Sequence, residues 1–204
     1  MLVRNLALAA VLAVLEVLQV VANPARAADP KVPPGQDPGG TAIALISGGL
    51  DYTRQAIAAR LARDGEGELI GWDMVDNDRT PFAAPAPAAA DAKGANPTAL
   101  AELTLASYSK GRLVPLRVPE GDAQALAKAI AFTAGTPARI VGIAMPVDST
   151  ALRTVVRQAS ARFRDHLFVV AGDVMSPRSK PDQGAGETPQ PNLMNLANVL
   201  VVAA

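Results

Sequence analysis

Two side chains that could do nucleophilic or general-base chemistry stand beside short apolar runs. Ser47 directly follows the apolar residues 42–46, and the sole histidine, His166, precedes another apolar run. A serine acts as a nucleophile only when a base lies within hydrogen-bond reach. We expect His166 to be a half-exposed residue of a helix-to-strand turn, because one histidine without cysteines is too few for a catalytic zinc site.

Three aspartates in residues 71–78 (GWDMVDND) could hold a metal ion. Asp73, Asp76 and Asp78 are candidate ligands because Ca²⁺ prefers several carboxylate oxygens. Their spacing is loose, so we expect a solvated turn at this position rather than a filled site. No cofactor is predicted from the sequence.

A glycine pair, Gly48 and Gly49, stands between a predicted strand and a predicted helix, where phosphate-binding loops occur. The segment lacks G-x-G-x-x-G and the lysine of a phosphate-binding P-loop. Glycines also suit a sharp strand-to-helix turn in any protein. A small-ligand α/β domain that uses this loop therefore stays open as an alternative.

Several segments occur in the order of the landmarks of one enzyme family. These segments are residues 43–52 (IALISGGLDY), 71–78 (GWDMVDND), 95–101 (ANPTALA), 112–118 (RLVPLRV), 139–146 (RIVGIAMP), 167–173 (LFVVAGD) and 198–204 (NVLVVAA). The first resembles the subtilase segment V-A-V-I-D-T-G-V-D-Y, and the fourth resembles K-I-L-P-V-K-V. Over residues 42–204 the chain thus resembles the subtilisin-like serine peptidases.

The same resemblance implies that the catalytic groups are replaced. Ser47 stands where the family has its triad aspartate, and Asn96 stands where it has its histidine. Asp173 takes the place of the asparagine that helps to bind the oxyanion. The family's nucleophile segment, G-T-S-M-A, comes later still and has no counterpart in this sequence.

These replacements remove the chemistry that hydrolysis needs. Ser47 cannot orient an imidazole as a carboxylate does, and Asn96 has no lone pair that titrates near neutral pH. Asp173 would place negative charge where negative charge must develop. We therefore expect a pseudopeptidase with a binding, scaffolding or regulatory role. The alternative is a serine-type endopeptidase, which convergence of Ser47, Asn96 and His166, or a nucleophile helix supplied by a partner, would favour.

The elements that must position these residues alternate between apolar strands and amphipathic helices. Predicted strands span residues 42–46, 68–72, 112–118, 139–144, 166–171 and 198–203, and predicted helices span 53–63, 96–111, 122–133 and 149–164. This alternation predicts an α/β fold with three layers, in which a mostly parallel sheet has right-handed crossovers and helices on both faces. The resemblance implies that this fold is subtilisin-like and incomplete.

The N-terminus has the pattern of a signal peptide. Arg4 precedes an apolar run over residues 6–22, and residues 25–27 form an A-x-A site. We expect residues 1–27 to be cleaved, residues 28–41 to form a flexible Pro/Gly-rich leader, and the protein to be exported to the periplasm or beyond the cell. Membrane attachment is expected only if the signal is uncleaved.

Charge and apolar patterning limit the partners. Nineteen basic and nineteen acidic residues cancel, so no global field attracts nucleic acid. The last strand is expected to leave an uncovered apolar face near Val199, Val201 and the 149–164 helix. We expect a protein partner or self-association through that face. Pro146 lacks an N–H, so we expect weak binding of extended peptides beside it.

Overall fold

The computed structural model describes residues 28–84, 96–172 and 192–203. The signal segment 1–27 and Asp173 lie outside these ranges. The described residues contain a six-stranded, all-parallel sheet in the order β2-β3-β1-β4-β5-β6. The strands are β1 (Thr41–Ser47), β2 (Trp72–Asp73), β3 (Gly111–Arg117), β4 (Ile140–Ile143), β5 (Leu167–Gly172) and β6 (Val199–Ala203). The predicted α/β class with a parallel sheet is confirmed.

Helices cover both faces of this sheet, as the alternation predicts. They are α1 (Gln55–Ala58), α2 (Pro97–Ser107), α3 (Ala123–Ala134) and α4 (Thr150–Arg162), and a 3₁₀ turn spans Leu193–Asn195. Leu45 of β1 packs with α1 and α2 on one face, whereas Ala44 and Ile46 pack with α3 and α4 on the other. The alternation of side chains along β1 thus contributes to two apolar layers. Among the described residues, no helix is long and apolar enough to cross a membrane.

Three of the helices begin where capping residues predict. The side chains of Asn96, Asp122 and Ser149 each accept hydrogen bonds from backbone N–H groups in the first turn of the following helix. These bonds satisfy donors that have no partner within the helix, and each contributes about 1 kcal/mol. Local sequence therefore fixes the starts of α2, α3 and α4.

The predicted helix over residues 53–63 is wrong beyond its first turn. Only Gln55–Ala58 is helical, and Leu61 then forms a parallel bridge with Leu113 of β3. The backbone N–H of Ala62 donates to the Leu113 carbonyl at 2.8 Å. Pairing with β3 therefore overrides the helical pattern in this segment.

Two other predicted boundaries also change. Of the strand predicted over 68–72, only Trp72 belongs to a strand, β2 (Trp72–Asp73). Leu69 instead forms an antiparallel bridge with Arg63 and does not join the sheet. Gly111 does not close α2, which ends at Ser107, but begins β3 and pairs with Thr41. Its backbone lies against Tyr108, where an added Cβ would come within 3.1 Å of that side chain.

The prediction that all crossovers are right-handed is wrong for one connection. The links from β2 to β3, β3 to β4 and β4 to β5 all move in the same direction across the sheet. Helix α2 lies on one face, whereas α3 and α4 lie on the other, so the β2–α2–β3 link has the opposite, rare hand. Because α3 and α4 already cover one face of the sheet, α2 lies on the other face, where it packs against α1. There Arg54 Nε donates to Glu102 Oε1 at 2.6 Å.

The leader, residues 28–41, which the sequence predicts to be flexible, makes specific contacts with the folded domain. The hydroxyl of Tyr52 donates to the Pro30 carbonyl at 2.5 Å, and Arg63 donates to the Pro33 carbonyl at 2.5 Å. Asp37 forms an ion pair with Arg112 of β3. These polar contacts hold residues 30–37 against the folded domain, which composition alone could not indicate.

Candidate functional site

Ser47 ends β1 at the carboxyl edge of the sheet, where α/β proteins place their ligands. Its side chain is buried, and its Oγ accepts a hydrogen bond from the N–H of Gly49 at 3.2 Å. A nucleophile needs a base beside an accessible hydroxyl. The buried hydroxyl of Ser47 instead stabilises the turn that follows β1.

Asn96, at the position that matches the family's histidine, caps α2. Its Oδ1 accepts from the N–H groups of Thr98 at 3.0 Å and Ala99 at 3.3 Å. The Thr98 hydroxyl oxygen accepts from the N–H of Asp51 at 2.9 Å. The loop after Ser47 and the start of α2 are therefore held together by structural hydrogen bonds.

His166 lies at the other end of the sheet. Strand pairing aligns Leu167 with Ile140 and Ile140 with Ile43, four residues before Ser47. From the rise per residue along a strand and the distance between neighbouring strands, His166 lies on the order of 15–20 Å from Ser47. The two residues do not converge, so the catalytic arrangement that would favour the peptidase alternative is not formed.

The predicted half-exposure of His166 is also wrong, although its place before β5 is confirmed. The residue is only 4% exposed, and its ring lies between Phe163 and Phe168. Its Nδ1 lies 2.9 Å from Asp165 Oδ1. Aromatic packing against α4 and β5 accounts for its burial.

Asp73, at the end of β2, forms a buried ion pair, whereas Asp76 and Asp78 lie exposed in the turn that follows, as expected of a solvated turn. Asp73 is fully buried, and its Oδ2 accepts from Arg117 Nη1 at 2.8 Å. The same Nη1 donates to Asp76 Oδ2 at 3.0 Å. Burial alone would lower the pKa of the Arg117 guanidinium, but the adjacent carboxylates outweigh that effect and raise it.

The structure changes the membership of the acidic cluster. Ligand oxygens of Asp29, Asp73 and Asp76 lie within 4.8 Å of one another, whereas Asp78 is not part of this group. Asp78 Oδ1 instead accepts from the N–H of Thr80 at 2.7 Å. Asp29 is not among the ligands predicted from the sequence, because it lies in the leader, far from Asp73 in the sequence. The guanidinium of Arg117 already compensates part of this charge, as expected of a structural ion-pair network.

Tyr52 lies beside the same acidic groups. Burial raises its pKa to about 12, and the negative charges of Asp29, Asp78, Asp73 and Asp51 add to that increase. The hydroxyl therefore stays protonated at neutral pH and serves as the donor to the leader.

The Gly48–Gly49 turn has a packing explanation. Gly49 has φ +100°, and an added Cβ would meet Ala83 Cβ at 2.8 Å and Arg117 Cδ at 2.9 Å. The helix after it, α1, has four residues and is too short to offer a phosphate-binding N-terminus. Close packing, not ligand binding, accounts for glycine at position 49.

An apolar groove runs over the half of the sheet that no described helix covers on the α2 side. Its volume is about 390 Å³, and its floor is formed by side chains of β1, β4, β5 and β6. Leu100 and Thr104 of α2 form one wall. At its edge Leu200 and Val202 of β6 are 54% and 45% exposed.

This groove corrects the location expected for the exposed face. Val199 and Val201, which the sequence predicts to be uncovered, pack against the layer that contains α3 and α4. Side chains alternate along a strand, so Leu200 and Val202 point to the other face. The residues after Asn198, VLVVAA, are apolar throughout and therefore give no sign of which face is covered.

Comparison with known proteins adds no identity to this geometry. No protein-family model matches the chain, and no curated protein matches it either. These comparisons therefore assign no role to the side chains described above.

Proposed function

We propose that this protein is an exported, non-catalytic domain, subtilase-like in sequence, that binds another protein surface through the groove beside β6. Two observations support the loss of catalysis. Ser47 Oγ is buried and hydrogen-bonded to its own turn, and Asn96 Oδ1 caps α2. Neither group is free to take part in proton transfer.

The observation that carries the binding role is the apolar half of the sheet that no helix of the described residues covers. Exposed apolar patches of this kind mark interaction surfaces on soluble proteins. Leu200 and Val202 lie on the strand that has one partner, β5, within the described residues. The formal net charge of zero gives two copies no long-range repulsion. A second copy of the chain is thus the simplest partner to test.

Substitution of the two exposed β6 side chains tests this role. We expect Leu200→Ser with Val202→Ser to abolish concentration-dependent association in sedimentation velocity, because it replaces the apolar rim with hydroxyls. Circular dichroism and melting verify that the fold is kept. Val75→Ser is the matched control, since Val75 is also exposed (41%) but lies in the turn after β2.

The outcome separates the possible roles of this surface. Association that persists unchanged in the double variant contradicts the assignment of the groove. A wild-type protein that stays monomeric throughout, and does not bind the apolar dye anilinonaphthalene sulfonate, contradicts a binding surface there altogether.

A further inference from the structure

A second cavity lies on the other side of the sheet, at the edge formed by β2. Its volume is about 350 Å³, within the usual range of small-molecule sites. The chain turns after β2 and returns antiparallel, with Asp73 N–H donating to Asp78 at 2.8 Å. This return places Arg79 at the cavity, beside Trp72 and opposite the C-terminal end of α3.

Aromatic side chains form the apolar wall of the cavity. The ring centroids of Trp72 and Phe132 are 6.1 Å apart, with an interplanar angle of 36°. Both side chains are only partly buried, so ring surface is left for a ligand. Such rings favour a planar aromatic group that stacks or packs edge-to-face.

The charges around the cavity decide the sign of the ligand. Arg79 is exposed and forms no ion pair with any residue in the described ranges. Asp64 Oδ1 already accepts from the N–H groups of Glu66 and Glu68, each at 3.0 Å. The guanidinium thus offers unused donors, whereas the carboxylate is engaged by its own turn.

The backbone beyond α3 is also satisfied. Arg139 Nη1 donates to the carbonyls of Thr136 and Ala138, each at 2.9 Å. Arg139 thus engages two carbonyls that follow α3, and it is not one of the residues that line the cavity. Asp64 and Arg79 bring opposite charges to the cavity, but the Arg79 guanidinium is the group whose donors have no partner in the described ranges, so it can bind an anion.

We propose that this cavity binds a small aromatic carboxylate. The carboxylate pairs with the Arg79 guanidinium, whose planar fork suits two parallel hydrogen bonds. The ring packs against Trp72 and Phe132. This site is separate from the groove beside β6 and from Ser47, so it does not rest on the binding role proposed above.

The single tryptophan of the chain makes the site directly observable, because Trp72 is itself part of the wall. We expect 3-phenylpropionate to change the fluorescence of Trp72 in a saturable manner. The neutral 3-phenylpropanamide and the cationic phenethylamine should bind at least tenfold more weakly. A fluorine-labelled 3-phenylpropionate provides a second readout by ¹⁹F NMR line broadening.

Variants of the charged rim complete the test. Arg79→Gln should weaken 3-phenylpropionate binding by about tenfold, and Arg79→Lys should restore part of the affinity. Arg157→Gln, at an exposed arginine of α4, is the matched control and should bind as the wild type does. All these positions are exposed, so the fold is expected to survive.

Three results would overturn the proposal. They are a Trp72 spectrum and ¹⁹F line width that do not respond to 3-phenylpropionate, equal binding by the Arg79→Gln variant, and tighter binding of phenethylamine that Asp64→Asn abolishes. The last result would assign the cavity to an organic cation instead.

Discussion

Ser47 and Asn96 belong to one small structural unit at the carboxyl edge of the sheet. Ser47 closes the turn after β1, Asn96 begins α2, and the Asp51 N–H bond to Thr98 joins the two. Each side chain has a stabilising task that needs no chemistry. Their types therefore follow from local hydrogen bonding, whatever the ancestry of the fold.

Removal of the cap at Asn96 measures this stabilising task. We expect Asn96→Ala to lower the free energy of unfolding by about 0.5–2 kcal/mol, because two N–H groups of α2 lose their acceptor. Asn96→Asp should retain most of the stability, since a carboxylate also caps. Urea unfolding measures both values, and an alanine variant as stable as the wild type would contradict the structural role.

The ion pair between Arg117 and Asp73 makes a larger contribution. We expect Arg117→Gln to cost about 2–3 kcal/mol, because it leaves a buried carboxylate without a cation. The N–H groups of Val75 and Asp76, which also donate to Asp73, limit the loss.

A second substitution tests the electrostatic cause. Asp73→Asn combined with Arg117→Gln should recover part of the stability in thermal unfolding, because no buried charge then lacks a counter-ion; Asp76, the other carboxylate that Arg117 contacts, is exposed. A double variant that is less stable than Arg117→Gln alone would contradict this explanation.

At the scale of elements, the leader is joined to β3 by a charge that titrates. Burial alone would raise the pKa of the Asp37 carboxyl, but N–H groups of Arg63 and Gly39 and the Arg112 guanidinium outweigh burial and lower it. A lowered pKa in the folded state stabilises the fold above the unfolded-state pKa near 4. That stability is lost as the pH falls through the folded-state value.

The pH dependence of Asp37→Asn tests this link. At neutral pH the variant should be less stable than the wild type by about 1–2 kcal/mol. The difference should shrink as the pH falls below about 4, because the wild-type carboxyl then becomes neutral too. Asp148→Asn, at an exposed residue before α4, is the control. A difference that stays constant from neutral pH to pH 3 would refute the charge-based account.

The segment after β4 limits the binding of extended peptides. Pro146 has no N–H and is exposed directly beyond β4, where an added strand would need a donor. We expect dissociation constants no better than about 0.1–1 mM for a library of extended peptides in calorimetry. Micromolar binding that changes in Pro146→Gly would show that a peptide groove exists there.

Local signals account for the elements that were predicted well. The capping side chains of Asn96, Asp122 and Ser149 bind N–H groups only two or three residues further along the chain. The starts of these helices therefore follow from local sequence. Residues 61–63 were mispredicted because the pairing of Leu61 with Leu113 joins positions far apart in the chain. Asp29 was missed for the same reason, since its approach to Asp73 needs the folded leader.

At the scale of the whole molecule, the order and hand of the connections decide which surfaces are free. The β2–α2–β3 crossover has the rare hand, which places α2 on the same face of the sheet as α1. Together α1 and α2 cover β1 and β3 on that face. On that same face, no helix within residues 28–84, 96–172 and 192–203 covers the apolar groove over β4, β5 and β6. No local sequence pattern indicates where this groove lies, because its position depends on the hands of the β2–β3, β3–β4 and β4–β5 connections together.

The central claim is the absence of peptidase catalysis, and Ser47 is the serine that the peptidase alternative would use. The decisive measurement is mass spectrometry of the purified chain after exposure to an active-site fluorophosphonate, with Ser47→Ala as the control. We expect no adduct on Ser47, because its hydroxyl is buried, its Oγ is hydrogen-bonded to the Gly49 N–H, and the sole histidine lies at the other end of the sheet. A stoichiometric adduct on Ser47 that is absent from Ser47→Ala would contradict it.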